Sequence, residues 1–313
     1  MTAAIRVAVV GVGHLGQHHA RLLASLDGVQ LAGIVDTKPG RAEEIASRLG
    51  VPAFSHVGDL PLEGLDAATI AVPTVSHLDV ALPLIDAGVA VLVEKPLTSS
   101  LGEADRMIET AGRRGVVLAA GHTERFNPAV VAALPLVSDP RFIEVHRLGA
   151  FPERSLDIDV IFDVMIHDLD LLLASVKSEV VSIEAIGVNV LTPKTDIANV
   201  RLRFASGCIA NVTASRISRE KVRKVRFFQR DSYLSIDYAA QEAEIYRLVS
   251  QNGRPVIGGG KLEVTPDEPL RAELADFVGA VRDRRQPGVD GRAGRDALAL
   301  ATKVAQAMEA SAL

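Results

Sequence analysis

The sequence has one cysteine among 313 residues, Cys208, which excludes an internal disulfide and any zinc site built from cysteines. No stretch approaches the ~20 consecutive apolar residues that a membrane-spanning helix requires. The start, MTAAIRVAVVGVG, lacks the charged segment and small-residue cleavage site of a secretory signal. These absences set the expectation of a protein of the reducing cytoplasm, with no membrane partner. A large excess of positive charge is missing too. The 34 Lys and Arg against 39 Asp and Glu leave a formal charge of -5, which argues against nucleic-acid binding, since that normally needs a basic face. The one basic concentration is Arg216, Arg219, Lys221, Arg223, Lys224 and Arg226. It is dense enough to hold an anion and equally suited to a solvated strand face, and both readings stay open.

What is present is ordinary for an enzyme. With 48% hydrophobic and 23% charged residues, the chain can bury real cores, and its length suggests two domains. From Ile5 to about Ala120, Val/Ile/Leu/Ala-rich runs at Ile5–Val10, Gln30–Val35, Ala67–Val72, Ala90–Val93 and Val116–Ala120 alternate with helical stretches near Leu15–Leu26, Gly40–Leu49, His77–Ala87 and Leu101–Arg114. Short buried strands alternating with helices predict a doubly wound parallel sheet. Ser100 followed by Glu103 is a capping-box signature for the last of these helices. After Gly121 an apolar helix around Asp163–Ala174 precedes close-set runs such as VVSIEAIGVNV, ANVRLRF, CIANVTASRI and SYLSIDY, with helices near Leu270–Arg282 and Arg292–Ala312 closing the chain. Strands without intervening helices predict an α+β domain with a large, mostly antiparallel sheet. The expected division is residues 1–121 and 122–313.

Gly11, Gly13 and Gly16 have GxGxxG spacing between the first strand and first helix. The first permits a tight turn, the second lets the backbone approach a pyrophosphate, and the third lets the helix pack on the strand. The helix amides then meet the phosphates. Asp36 ends the second strand, twenty positions after Gly16, where its carboxylate can bond the adenosine ribose. That carboxylate repels a 2′-phosphate, so NAD is expected before NADP, with Lys38 softening the preference. His14, Leu15 and Thr37 border these positions as further cofactor contacts. His14, His18 and His19 crowd the helix start, but their spacing fits local packing, and no metal site is expected.

VAVLVEKPL places Glu94, Lys95 and Pro96 at the carboxyl end of the fifth strand, where ligands sit in such sheets. The Lys95 ammonium can stabilise an alkoxide or, if desolvated, give up a proton; it can equally be an exposed strand-end lysine. Further on, DVMIHDLDLLL sets Asp163 and His167 four apart on one helical face, with Asp168 and Asp170 adjacent. A histidine that accepts a hydroxyl proton beside a carboxylate that orients it suits a general base, and a solvated helical pair is the other reading.

In this order the motifs resemble the Gfo/Idh/MocA oxidoreductases over nearly the whole chain. The resemblance implies that Lys95 and His167 approach a reacting alcohol, that Asp163 supports them, and that the Lys95–Pro96 peptide is cis. AVPTVSH is similar to a family loop that makes Pro73, Thr74 and His77 cofactor contacts, beside Glu94 and Lys95. GHTERFNPA resembles the segment joining the domains, so Glu124, Arg125 and Asn127 join Lys95, Asp163 and His167 as substrate-lining candidates, or form a hinge salt bridge. Many relatives have Gly two residues before the histidine; Met165 stands here, and its bulk is expected to alter the pocket. RFNPA with DVMIHDLDL is closer to members acting on nucleotide sugars, which brings in Arg147, Arg154 and the Arg216–Arg226 stretch as diphosphate partners. The expected activity is NAD-dependent oxidation of a secondary alcohol on a sugar or sugar nucleotide, in the narrowest form UDP-N-acetylglucosamine at C3. The alternatives are an NAD-recycling glycoside hydrolase and a non-catalytic dinucleotide sensor. A homodimer or homotetramer through the C-terminal sheet is the family-based expectation.

Overall fold

The computed structural model describes residues 3–151 and 158–311. The strands are β1 Ile5–Val10, β2 Val29–Val35, β3 Ala53–Phe54, β4 Ala67–Ile70, β5 Ala90–Glu94, β6 Leu118–Gly121, β7 Pro140–Leu148, β8 Val180–Val188, β9 Ile197–Phe204, β10 Ile209–Ser215, β11 Val222–Gln229, β12 Ser232–Asp237, β13 Glu242–Gln251 and β14 Arg254–Lys261. The helices are α1 Gly16–Leu23, α2 Arg41–Leu49, α3 His77–Asp86, α4 Leu101–Arg114, α5 Pro128–Ala133, α6 Ile166–Val176, α7 Pro269–Asp283 and α8 Gly291–Ser311. They form two compact units, Met1–Thr123 with Glu268–Arg295, and Glu124–Asp267 with Asp296–Leu313.

In the first unit β3-β2-β1-β4-β5-β6 make one sheet, parallel throughout. Every residue of β4 and β5 is buried, as expected where helices cover both faces. The strand order reverses between β1 and β4, which marks the ligand-binding crevice at the carboxyl ends. Helix α4 starts with the expected reciprocal cap, Ser100 Oγ accepting from the Glu103 amide and the Glu103 carboxylate accepting from the Ser100 amide, and it stops at left-handed Gly115.

The units differ from a cut after residue 121. The first boundary falls after Thr123, and Glu268–Arg295 return to the first unit. The reason is apolar burial: Leu274, Phe277 and Val278 of α7 share a core with Val7, Val9, Leu22 and Leu23. An amphipathic helix shows that it has an inner face, and nothing in its pattern says which core receives it.

The second unit is an eight-stranded sheet, β14-β13-β12-β11-β7-β10-β9-β8, antiparallel except for the β7/β10 pair. Its inner face, with Ile143, Val145, Val212, Val225, Phe227 and Ile236, packs with Ile166, Leu169 and Leu172 of α6 and Leu300 and Val304 of α8. On the other face Phe142, Phe228, Tyr233 and Tyr246 stand in register on four adjacent strands, with centroids 5.5, 5.2 and 6.4 Å apart. The chain has only nine Phe and three Tyr, so this row concentrates a scarce resource on the face opposite the one that packs with α6 and α8 among the described residues. Leu248 and Ile257, paired at the outer hairpin, are 71% and 79% exposed. No helix among the described residues is long and apolar enough to cross a membrane.

Replacing Phe277 by Ala should destabilise the first unit by about 3–5 kcal/mol. Equilibrium urea unfolding with hydrogen exchange should place the lost protection in β1 and α1. Loss confined to the antiparallel sheet would contradict the observed partition of the chain.

Candidate functional site

The glycine loop follows β1. Gly11 has φ 84, and a Cβ there would lie 2.8 Å from the Ala71 backbone; a Cβ on Gly16 would lie 1.8 Å from the Gly11 carbonyl oxygen. Both positions demand glycine for close packing. Around Gly13 nothing lies within 4 Å of such a Cβ, so the loop is tight behind and open in front. Gly13, His14 and Leu15 are exposed and no side chain caps α1, so the helix start is open to an anion, while the Gln17 and His18 amides meet the Gly13 and Leu15 carbonyls. Asp36 directly follows β2 and holds the loop, its carboxylate accepting from the Val12 and Lys38 amides at 2.8 Å each. Thr37 follows it. Arg41, absent from the sequence-based candidates, donates to the Val12 carbonyl at 2.8 Å and to Gln17 at 3.2 Å. Its only signal was a basic residue opening the second helix. These features fit a dinucleotide: Gly11, Gly13 and Gly16 with the α1 amides would hold the pyrophosphate, and Asp36 the ribose.

The EKP turn lies at the carboxyl end of β5, and the Lys95–Pro96 peptide is cis. Lys95 is half-buried. Two residues expected to touch cofactor have other work. Glu94 is turned inward, 3.0 Å from buried His19 Nε2 and 3.3 Å from the Lys95 amide. Burial alone would raise its pKa, but the His19 hydrogen bond and the His19 and Lys95 charges outweigh it and hold the carboxyl below its ordinary value. His77 is 1% exposed, its Nδ1 3.0 Å from the Pro96 carbonyl and its Nε2 3.0 Å from the Val72 carbonyl. Burial pushes its pKa down against those acceptors. Both residues brace the turn that presents Lys95. Pro73 is exposed and Thr74 partly so, which leaves them as the loop's available contacts.

In the second unit Asp163 lies in a π turn, Ile161–Met165, that runs into α6. Such turns recur at functional sites. Asp163 and His167 are both half-buried, among neighbours such as Met165, Ile166, Asp168 and Asp170 that are buried. Met165 is 0% exposed within the core, so its bulk fills the interior, contrary to the expectation that it reshapes a pocket. Asp168 accepts two bonds from Arg147, at 2.7 and 2.9 Å, and Arg147 also reaches Glu124 at 3.3 Å and lies over the Tyr238 ring. Arg125 pairs with Asp170 at 3.1 Å. Glu124 therefore ties the 3₁₀ turn Thr123–Phe126 to β7, and Arg125 ties it to α6. Asn127 differs from the expectation of a substrate contact: it is buried, caps α5 through the Ala129 amide and donates to the Tyr238 carbonyl.

The basic stretch separates into different environments. Arg216 is 3% exposed and donates to Asp196, Thr192 and the Ile158 carbonyl. Asp196 also accepts the amides of Val190, Leu191 and Thr192. Burial would raise the Asp196 pKa, but those amides, Thr192 and Arg216 outweigh it and hold the carboxyl well below its ordinary value. Beside this clamp the Thr195 amide donates to Asp159, and Asp159 precedes the π turn and accepts the Asp163 amide. Lys224 pairs with Asp237 and Arg226 with Glu144. Arg154 lies outside the described residues. Burial pushes the Cys208 thiol up to about 11, which removes it as a nucleophile. A cleft of about 950 Å³ opens elsewhere in the first unit, at the amino-terminal ends of β1, β5 and β6, lined by Ile5, Ala90 and Leu118 with Arg282, Arg284 and Arg292. It lies at the wrong strand ends for the dinucleotide.

The chain is similar to known proteins along nearly its whole length. Residues 5–122 match the family model described as "Oxidoreductase family, NAD-binding Rossmann fold", and residues 139–231 the GFO/IDH/MocA C-terminal domain. The chain is 41% identical over 98% of its length, and 98% of the relative's, to UDP-N-acetylglucosamine 3-dehydrogenase of Acidithiobacillus ferrooxidans. A solved structure of that enzyme superposes with a TM-score of 0.92 at 40% identity, covering 99% of both chains. The chain is also 32% identical over 68% of both lengths to scyllo-inositol 2-dehydrogenase (NAD(+)) of Bacillus subtilis.

Replacing Asp196 by Asn should cost about 3–5 kcal/mol, because Arg216 is left as a buried cation without its counter-charge. The pH sign follows from the depressed pKa. Asp196 stabilises the fold above its unfolded value of about 4, and that stability is lost as pH falls through the lower folded value. Urea unfolding from pH 7 down to 3 should show a larger decline for the parent than for Asp196→Asn. Parallel curves would contradict the clamp.

Proposed function

We propose that this chain, which belongs to the Gfo/Idh/MocA oxidoreductase family, oxidises a secondary alcohol of a nucleotide sugar with NAD, and that C3 of UDP-N-acetylglucosamine is the position attacked. The observation that carries this reading is the 41% identity to a UDP-N-acetylglucosamine 3-dehydrogenase across 98% of both chains. Lys95, Asp163 and His167 supply the chemistry it needs.

Bound NAD supplies the hydride acceptor at C4 of its nicotinamide. His167 accepts the hydroxyl proton as the C–H bond gives up its hydride, and the alcohol carbon becomes a ketone. Lys95 stabilises the negative charge that develops on oxygen, as a fixed cation does where solvent is excluded. Asp163 orients the His167 ring and stabilises its protonated form, a helper role for a general base. Glu94 and His77 are positioning residues for Lys95. On the cofactor side Gly11, Gly13, His14, Leu15, Gly16, Asp36, Thr37, Pro73 and Thr74 are the proposed contacts, and the Asp36 carboxylate favours NAD over NADP. Glu124 and Arg125 shape the substrate side through their ion pairs.

A homo-oligomer built on the open sheet is supported by the aromatic row and by the exposed Leu248–Ile257 pair, since contiguous apolar surface of this kind marks association. The reducing cytoplasm suits a chain whose single cysteine is buried.

Purified protein with NAD and UDP-N-acetylglucosamine should generate NADH absorbance at 340 nm, and Lys95→Ala or His167→Ala should lower kcat by about 10²–10⁴-fold with NAD affinity nearly intact. NADH formation unchanged in either variant would remove that residue from the mechanism. By light scattering the parent should be a dimer or tetramer, and a Phe228→Glu/Tyr246→Glu variant a folded monomer. An assembly unaffected by both changes would place the interface elsewhere.

A further inference from the structure

Carboxylates already hold several cations of the second unit that a diphosphate could use. Arg147 is engaged by Asp168 and Glu124, Arg125 by Asp170, Arg216 by Asp196, Lys224 by Asp237 and Arg226 by Glu144. Lys224 and Arg226 alternate with buried Val225 and Phe227, and so lie on the outer sheet face with the aromatic row. Arg223 is different. It shares the inner face with Val225 and Phe227 and stands in register opposite Arg147 on β7, and its carbonyl accepts the Tyr238 amide. Yet it is exposed where those neighbours are buried. Among the described residues it has no carboxylate partner.

Its placement is informative. Arg147, which stands in register opposite Arg223, grips Asp168, the residue after His167 in α6, so Arg223 lies on the strand beside the polar cluster that carries the proposed base, and its charge favours the Asp168 carboxylate. Lys221, also exposed, precedes it by two residues. An arginine can meet a phosphate with two parallel charge-assisted bonds, and a free polyol offers no charge to match.

We propose that Arg223, with Lys221 beside it, receives the diphosphate of the nucleotide sugar and is the residue that selects nucleotide sugars over free sugars and inositols. The assignment rests on the nucleotide-sugar reading above. It makes Arg223 a specificity residue with no part in the proton or hydride step.

The test is steady-state kinetics with UDP-N-acetylglucosamine and calorimetric titration of UDP into the NAD-loaded protein, for the parent, Arg223→Gln and Arg223→Lys. Arg223→Gln should raise KM and the Kd for UDP by about 10–100-fold, the loss expected for hydrogen bonds between charged groups. Its kcat should stay within about twofold of the parent, since Arg223 has no part in the chemical step. Arg223→Lys should recover part of the loss. A parent that binds UDP alongside an Arg223→Gln protein that binds it equally well would overturn the assignment alone. So would a fall in kcat and melting temperature at constant KM, which is what a merely structural counter-charge to Asp168 would produce. A parent that neither binds UDP nor oxidises UDP-N-acetylglucosamine would overturn the nucleotide-sugar reading and the assignment with it.

Discussion

The bidentate pair between Arg147 and Asp168 is the constraint on which the polar end of the second unit depends. Asp168 is buried on α6, and an isolated carboxylate there would be prohibitively desolvated. Arg147, from a central strand of the sheet, supplies the opposite charge in the planar geometry that suits it. The pair fixes α6 against β7 at one residue from His167. A buried pair of this kind contributes little net stability over an apolar substitute, but removing one partner is costly. Its value is positional: it holds the helix that carries His167 and Asp163, and it occupies the arginine that would otherwise be free to take an anion.

The first unit solves the same problem with histidines. His19 and His77 are both buried beneath the EKP turn, one against the Glu94 carboxylate and the other against the carbonyls of Val72, Pro96 and Leu97. Neither faces the open side of the glycine loop. Together they tie α1, the loop after β4 and the end of β5 to the peptide that presents Lys95. A flexible lysine is a poor electrostatic catalyst unless its backbone is held, because preorganisation is what makes a charge effective in the transition state.

The doubly wound half was legible because its signals are local. Glycine spacing, a strand-end aspartate and uniformly apolar strands each state their own role, and the capping box at Ser100 appeared as read. The second sheet was legible in outline, through ANVRLRF and CIANVTASRI. The β13–β14 hairpin was not, because most of it is exposed and the polar–apolar alternation of β13 stops after its first four residues. Side-chain direction was the main loss. Glu94, His77 and Asn127 carry the residue types of ligand contacts, yet each points into its own unit, and only the partners that three-dimensional packing brings near decide that. Met165 reverses in the same way, its bulk entering the core. Among the basic residues between 216 and 226, Arg216, Lys224 and Arg226 could not be told from Arg223 until packing and register gave them carboxylates.

The central claim is that hydride leaves a sugar carbon of a nucleotide sugar for NAD. Incubating the protein with NAD and UDP-N-acetylglucosamine deuterated at C3, followed by mass spectrometry of the cofactor, tests it most directly. The account predicts deuterium in the nicotinamide ring of the NADH formed, with a 3-keto product in equal amount. NADH without deuterium, or turnover of the sugar with no net NADH, would contradict it.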